Sequence, residues 1–159
     1  TLKPPTGVKL ISATSANDMY QSVMHNIATQ DIFISVAAVA DYSPAVSQAQ
    51  KIKKSKSSLT LELKPNKDIL AEVASLPSPP FCVGFAAETE NLLEYAEAKR
   101  QSKKLPLIVA NLMHDSMGQD ENSVTLLDDK GAHALPRASK NLVAEMLLKH
   151  ISDMLKIQQ

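Results

Sequence analysis

Three features of this 159-residue sequence predict an α/β domain, a mainly parallel sheet flanked by helices in three layers, with a C-terminal hairpin. Segments with strand character alternate with segments of helical period along the chain. The strand candidates at 32–39 and 81–85 are almost wholly apolar and show no alternation, as strands covered on both faces do. Between them, Pro77-Ser78-Pro79-Pro80 breaks the chain.

In chain order, 8–12 is a short β-branched run and reads as a first strand. Ser15-Ala16-Asn17-Asp18 has the form of a capping box with Asp as its acid. Met19, Val23, Met24 and Ile27 then recur at helical spacing. The buried strand 32–39 follows. Residues 59–63, Leu-Thr-Leu-Glu-Leu, alternate apolar and polar, which predicts a strand with one wet face. Asn66 is placed to cap a helix over 67–75. Strand 81–85, helix 90–103 and strand 107–110 come next. Segments 124–127 and 132–135 flank an Asp-Asp-Lys-Gly turn and read as a hairpin. A last helix over 139–155 places Leu142, Met146, Ile151 and Leu155 near one stripe.

The length allows one domain with a substantial core. Hydrophobic residues make up 44% and charged residues 21%, with 17 basic against 17 acidic side chains. Any electrostatic function must therefore come from local clustering. The neutral net charge and the 4% aromatic content weigh against a nucleic-acid partner. No apolar stretch is long enough to suggest a membrane span. The single cysteine, Cys82, lies in an apolar run; one thiol fits a reducing cytoplasmic compartment and reads as core packing. The chain opens in a loop without an initiator Met, so an earlier start is expected.

In sheets of this kind ligands sit beyond the carboxyl ends of the strands. That rule gathers Ala37 to Asp41, Phe85 to Thr89, and Asn111 onto one rim. A cationic loop, Lys51-Ile52-Lys53-Lys54 with Lys56, leaves the same rim ten residues after Asp41-Tyr42. Ammonium groups this dense repel one another unless solvated or facing an anion, and a solvated loop is the plain reading for such a cluster. The rim position favours an anion. Lys67 beside the first turn of the 67–75 helix reinforces an anion site there, although capping alone also explains Asn66 and Asp68. Gly84 and the Ala pair 86–87 permit close backbone approach, and Phe85 offers a flat wall for a base or an ordinary core aromatic. Lys99 and Lys103 share one helix face. The four histidines lack metal-ligand spacing and read as surface or hydrogen-bonded positions, so no metal ligand is assigned. A nucleoside triphosphate is the first ligand this pattern brings forward.

Four segments in order, Ala37-Ala38-Val39-Ala40-Asp41-Tyr42, Lys51-Ile52-Lys53-Lys54, Val83-Gly84-Phe85-Ala86-Ala87-Glu88-Thr89 and Ile108-Val109-Ala110-Asn111, resemble bacterial phosphopantothenoylcysteine synthetase over about residues 8–147. The resemblance implies a Rossmann-like three-layer fold and a cytoplasmic, homodimeric ligase of coenzyme A biosynthesis. Such an enzyme joins 4′-phosphopantothenate to cysteine, using CTP through an acyl-cytidylate, with Mg²⁺ sharing the charge. FMN would belong only to a fused decarboxylase domain outside these residues. By motif, Lys51 matches the critical lysine and Asp41 the nucleotide-binding carboxylate. Ala37, Lys67, Asp68, Ile69, Leu70 and Phe85 match further nucleotide contacts, and Lys99 and Lys103 match basic residues of the same site. Two departures stand out: the family's Asn-Pro-Asp is Asn66-Lys67-Asp68 here, and its Ala-Asn-Asp is Ala110-Asn111-Leu112. The family's first strand, Gly-rich turn and an asparagine that handles the acyl-cytidylate precede the region where this sequence begins. Two other readings stay open: a nucleotide-binding or regulatory module of the same fold without chemistry, and nucleic-acid binding through the lysine loop.

Overall fold

The computed structural model describes residues 4–46, 50, 52–53, 58–112 and 120–157. The elements are α1 (Ala16–Asn26), a 3-10 turn (Ile27–Thr29), β1 (Ile32–Ser35), β2 (Tyr42–Pro44), β3 (Leu63–Pro65), α2 (Ile69–Ala74), β4 (Phe81–Glu88) and α3 (Leu92–Ser102). They continue with β5 (Leu107–Leu112), β6 (Glu121–Asn122), β7 (Thr125–Asp128), β8 (Gly131–Ala134), β9 (Ala138–Ser139) and α4 (Lys140–Ile157).

Five strands form the main sheet in the order β1-β4-β5-β7-β8. β1, β4 and β5 run parallel, with Ile32 level with Phe81 and Val83 with Leu107. β7 joins antiparallel, Ile108 facing Leu127, and the β7–β8 hairpin closes that side. This is the predicted α/β architecture with its C-terminal hairpin.

Strand alternation divides the core into two layers. Cys82, Ala86, Ile108, Ala110 and Leu127 point to one face, where they meet Ile27, Ile69, Leu70, Val73 and Ala96 from the helices α1 to α3 and their turns. Phe81, Val83, Leu107, Val109 and Leu126 point to the other, against Val143, Leu147 and Ile151 of α4. Gly84 makes room at the first face: a Cβ there would come 2.8 Å from Leu105 Cδ1 and 2.9 Å from Leu70 Cδ2, so its absence lets these side chains pack close on β4.

The capping box forms as predicted: Ser15 Oγ accepts from the Asp18 amide at 3.1 Å and Asp18 Oδ2 accepts from the Ser15 amide at 3.1 Å. Other expectations need correction. Residues 8–12 are not a strand but an exposed irregular segment. β1 pairs only as far as Ser35; beyond it the chain leaves the sheet, with the Val39 amide bonded to the Ala37 carbonyl at 3.0 Å. The alternating run 59–63 pairs mainly at its end, as β3 against β2, and Leu59, Leu61 and Leu63 are exposed. Asn66 is not the cap of α2. Asp68 is, its Oδ1 accepting from the Ala71 amide at 3.0 Å, which shortens the helix to six residues. On α4 the buried stripe is Val143, Leu147 and Ile151; Leu142 is exposed, one residue off the predicted line. No helix among the described residues is long and apolar enough to cross a membrane.

Candidate functional site

A cavity of about 450 Å³ opens beyond the end of β1, beside Phe85 of β4. Residues 33–37 and 39–41, in β1 and the segment that runs out of it, form one side, the 66–70 turn entering α2 forms another, and Met19 and Val23 of α1, Phe85 of β4 and Lys103 complete it. The position follows from topology, because the carboxyl ends of parallel strands leave a crevice that only loops can fill.

A polar clamp shapes this crevice. Asn66 Nδ2 donates to the Ala40 carbonyl at 2.8 Å, and the Asn66 amide donates to the Asp41 carbonyl at 2.7 Å. The small-residue segment 36–41 is thereby fastened to the entrance of α2, and β2 and β3 continue the same pairing outward. Ala37 and Asp41 owe their places in the wall to this clamp.

The charges are arranged asymmetrically. Lys103, at the C-terminal cap of α3, places Nζ 2.7 Å from Asp68 Oδ2. Burial pushes the Asp68 carboxyl up, but the Lys103 ammonium and the Ala71 and Leu70 amides together hold it below its ordinary value. Lys67 sits with Nζ 3.9 Å above the Tyr20 ring, while the Tyr20 hydroxyl donates to Glu72 Oε2 at 2.7 Å. Tyr20, with Glu72 behind it, favours the charged Lys67 and raises its pKa. The cavity thus is lined by apolar Ile34, Leu70 and Phe85, by two carboxylates, Asp41 and Asp68, and by two lysines, whose ammonium groups rest on the Tyr20 ring and on Asp68.

Of the sequence-predicted nucleotide contacts, the structure brings Ala37, Asp41, Lys67, Asp68, Ile69, Leu70, Phe85 and Lys103 to this one cavity. Lys99 is not among its lining residues; its Nζ pairs with Glu88 Oε1 at 2.6 Å. Lys51, with Lys54 and Lys56 of the same loop, lies outside the described residues. Asn66 is the residue whose role the sequence reading mistook, since an Asn before a helix signals a cap as readily as a cross-loop clamp. Cys82 is buried and burial pushes its thiol up to about 11, so it behaves as core and not as a nucleophile.

The architecture and cavity define an α/β domain with a nucleotide-sized cleft at the carboxyl ends of parallel strands. Comparison with known proteins narrows this class. The family described as "DNA/pantothenate metabolism flavoprotein C-terminal domain" matches residues 1–155, and the chain belongs to that family. It is 40% identical over 161 residues to the coenzyme A biosynthesis bifunctional protein CoaBC of Vibrio vulnificus (strain CMCP6), covering 98% of this chain and 40% of that protein. The same-named proteins of Escherichia coli K12 and Bacillus subtilis 168 are 39% and 38% identical, over 95% and 98% of this chain. The chain thus spans about 40% of the length of these relatives. Among solved structures it matches the C-terminal domain of a CoaBC protein with a TM-score of 0.80 at 34% identity, covering 98% of this chain and 70% of that one. A Cab2 mutant complexed with phosphopantothenate-cysteine shares the fold at 17% identity, with a TM-score of 0.71 over 92% of this chain and 54% of that one. The relationship expected from the four ordered motifs is borne out.

Proposed function

We propose that this domain ligates 4′-phosphopantothenate to cysteine at the expense of CTP, in the cytoplasm and as a homodimer. The observation that carries the proposal is the convergence of eight of the ten motif-assigned nucleotide positions, far apart in sequence, on one cavity. Asp41 supplies an acceptor for ribose hydroxyls, and Phe85 supplies an apolar wall against the cytosine. Lys67 and Lys103 face the polyphosphate, with Lys51 as the further cation.

The reaction couples two displacements. The phosphopantothenate carboxylate attacks the α-phosphorus of CTP, forming a P–O bond as the α–β bridge breaks and pyrophosphate leaves. The cysteine amine then attacks the acyl carbon, a C–N bond forms, and CMP departs with the acyl–phosphate electron pair while the amine loses its proton. Both anions must approach one another in the first step, so fixed cations at the rim stabilise the transition state more than either separate reactant. Mg²⁺, when bound, supplies additional neutralisation of the phosphate oxygens.

The exposed apolar side chains Val36, Tyr42, Leu59, Leu61 and Leu63, gathered on and beside the β2–β3 arm, support pairing with a second copy. Apolar side chains exposed in this way are costly in water and are relieved when covered.

Full-length protein mixed with CTP, Mg²⁺, phosphopantothenate and cysteine is expected to release one pyrophosphate per product, with Lys51→Ala strongly impaired. Tight CTP binding without pyrophosphate release would instead establish a binding module, and neither binding nor release would overturn the assignment.

A further inference from the structure

A second constellation lies at the opposite end of the sheet. Leu127 is level with Ile108, so Asp128 reaches the level where β5 begins, away from the rim that forms the cavity. Leu126 packs against α4, and alternation turns Asp128 to that same face. His133 lies opposite Leu126 across the hairpin, so it too is on the α4 face, diagonal to Asp128. The third member, His150, comes from α4 itself. His133 Nε2 stands 3.0 Å from Asp128 Oδ1 and His150 Nε2 stands 2.9 Å from Asp128 Oδ2. The two rings are 5.0 Å apart and tilted by 52°.

Asp128 is 5% exposed, while the side chains of His133 and His150 are 37% and 23% exposed. A buried carboxylate flanked by two imidazoles through the same ring nitrogen, with one side open to solvent, is a three-ligand metal geometry with room for water as the fourth. All three ligand atoms lie within 4.8 Å of one another. Four-coordinate Zn²⁺ bonds of roughly 2.0–2.2 Å place neighbouring donors roughly 3.3–3.5 Å apart. Because each imidazole now bonds a different carboxylate oxygen, the donors must close toward this spacing around a single oxygen, starting from separations within 4.8 Å. One backbone contact fixes the carboxylate beforehand, and an ion pair anchors its neighbour in the turn. The Lys130 amide donates to Asp128 Oδ1 at 2.8 Å. Arg100, itself bonded to Glu97 and to the Leu105 carbonyl, holds the adjacent Asp129 at 2.8 Å.

We propose that Asp128, His133 and His150 bind a divalent transition metal of the Zn²⁺ type, clasping the β7–β8 hairpin to the C-terminal half of α4. The imidazole ligands set it apart from the Mg²⁺ of nucleotide chemistry, which takes oxygen donors. Its position on the far rim gives it a structural rather than a catalytic task.

The test uses tag-free protein stripped with a chelator and titrated with Zn²⁺ by calorimetry, and with Co²⁺ by visible absorption. One equivalent is expected to bind, with the intense ligand-field bands of four-coordinate Co²⁺. The melting temperature should rise by about 5–10 °C at a hundredfold excess over Kd. His133→Ala, at the more exposed ligand, and His150→Gln, which keeps a hydrogen bond to Asp128, should each weaken binding at least tenfold. Bleached Co²⁺ bands in both variants complete the expected result. Absence of Co²⁺ bands in the unsubstituted protein, or Zn²⁺ affinity unchanged in both variants, would overturn the proposal and leave the cluster a hydrogen-bonded buttress.

Discussion

Lys103 poses the sharpest question about the cavity, because it lines the space proposed for the phosphates while its ammonium pairs with the carboxylate of Asp68. The perturbation is Lys103→Met, which keeps the length of the stem and removes the charge. The ion pair is partly solvated, with side-chain exposures of 29% and 49%, so its loss should cost folding no more than about 1 kcal/mol. Binding is a different matter. A unit charge about 5 Å from a phosphate oxygen is worth roughly 3 kcal/mol at an effective dielectric near 20. Screening by water and salt leaves about 1–2 kcal/mol, or roughly 5–30-fold in Kd. Removing Lys103 also leaves Asp68 unopposed beside an anionic ligand. Asp68→Asn retains an oxygen to cap α2, so it should fold normally and bind CTP no more weakly than the unsubstituted protein. The double variant should recover part of the affinity that Lys103→Met alone loses. Calorimetric titration with CTP at fixed salt measures all four corners of the cycle. A Kd within twofold of the original for Lys103→Met, or an equal loss for Asp68→Asn, would refute the assignment of Lys103 to the phosphates.

Asn66→Ala removes the clamp on the Ala40 carbonyl at a cost of about 0.5–1.5 kcal/mol, and CTP affinity should fall by up to tenfold, read by the same titration. Leu107→Ala, at a fully buried position of the α4 layer, should lower unfolding stability by about 2–5 kcal/mol in urea denaturation while leaving the cavity residues in place. Ser15→Ala deletes the side-chain acceptor at the start of α1 and should cost about 1 kcal/mol in the same assay. The acid limb of stability follows from carboxyls held below their ordinary value: Asp18 through Thr14 and Ser15, and Asp68 through Lys103 and backbone amides against its burial. Their contribution is complete above the unfolded value near 3.8 and is lost as pH falls through the lower folded values, so stability should decline below about pH 4. In Asp18→Asn that decline should be shallower.

The parts of the fold legible in sequence were those whose pattern and burial agree. β4 and β5 read as continuous apolar runs because both their faces are covered, and the capping box at Ser15 is a local hydrogen-bond motif that needs no tertiary partner. The errors lie where the partner is distant. Residues 59–63 alternate like a strand, yet Leu59, Leu61 and Leu63 stay exposed, so the period predicted a longer ladder than the one formed by the Glu62 carbonyl with the Ala45 amide and by residues 63–65. The end of β1 was overestimated because apolar small residues at 36–40 serve a cavity wall as well as they serve a strand. Topology brought residues of 37–41 and Phe85 to the cavity, whereas 86–89 and Asn111, expected on the same rim, are not among its lining residues, and the direction of each ammonium did not follow from topology. Lys99 and Lys103 share a helix face, but Glu88 takes the first and only the second reaches the cavity. Asp128, His133 and His150 escaped a search for linear ligand spacing because a hairpin register and a helix face bring them together.

The central claim is that CTP occupies the crevice beyond the end of β1, beside Phe85 of β4. Amide chemical-shift mapping during a CTP titration addresses it most directly. The account predicts that the largest perturbations fall on residues 36–41, 66–70, 85 and 103, with the 131–134 strand and the second half of α4 unmoved. Saturable shifts confined to other surfaces, or none at millimolar CTP, would contradict it.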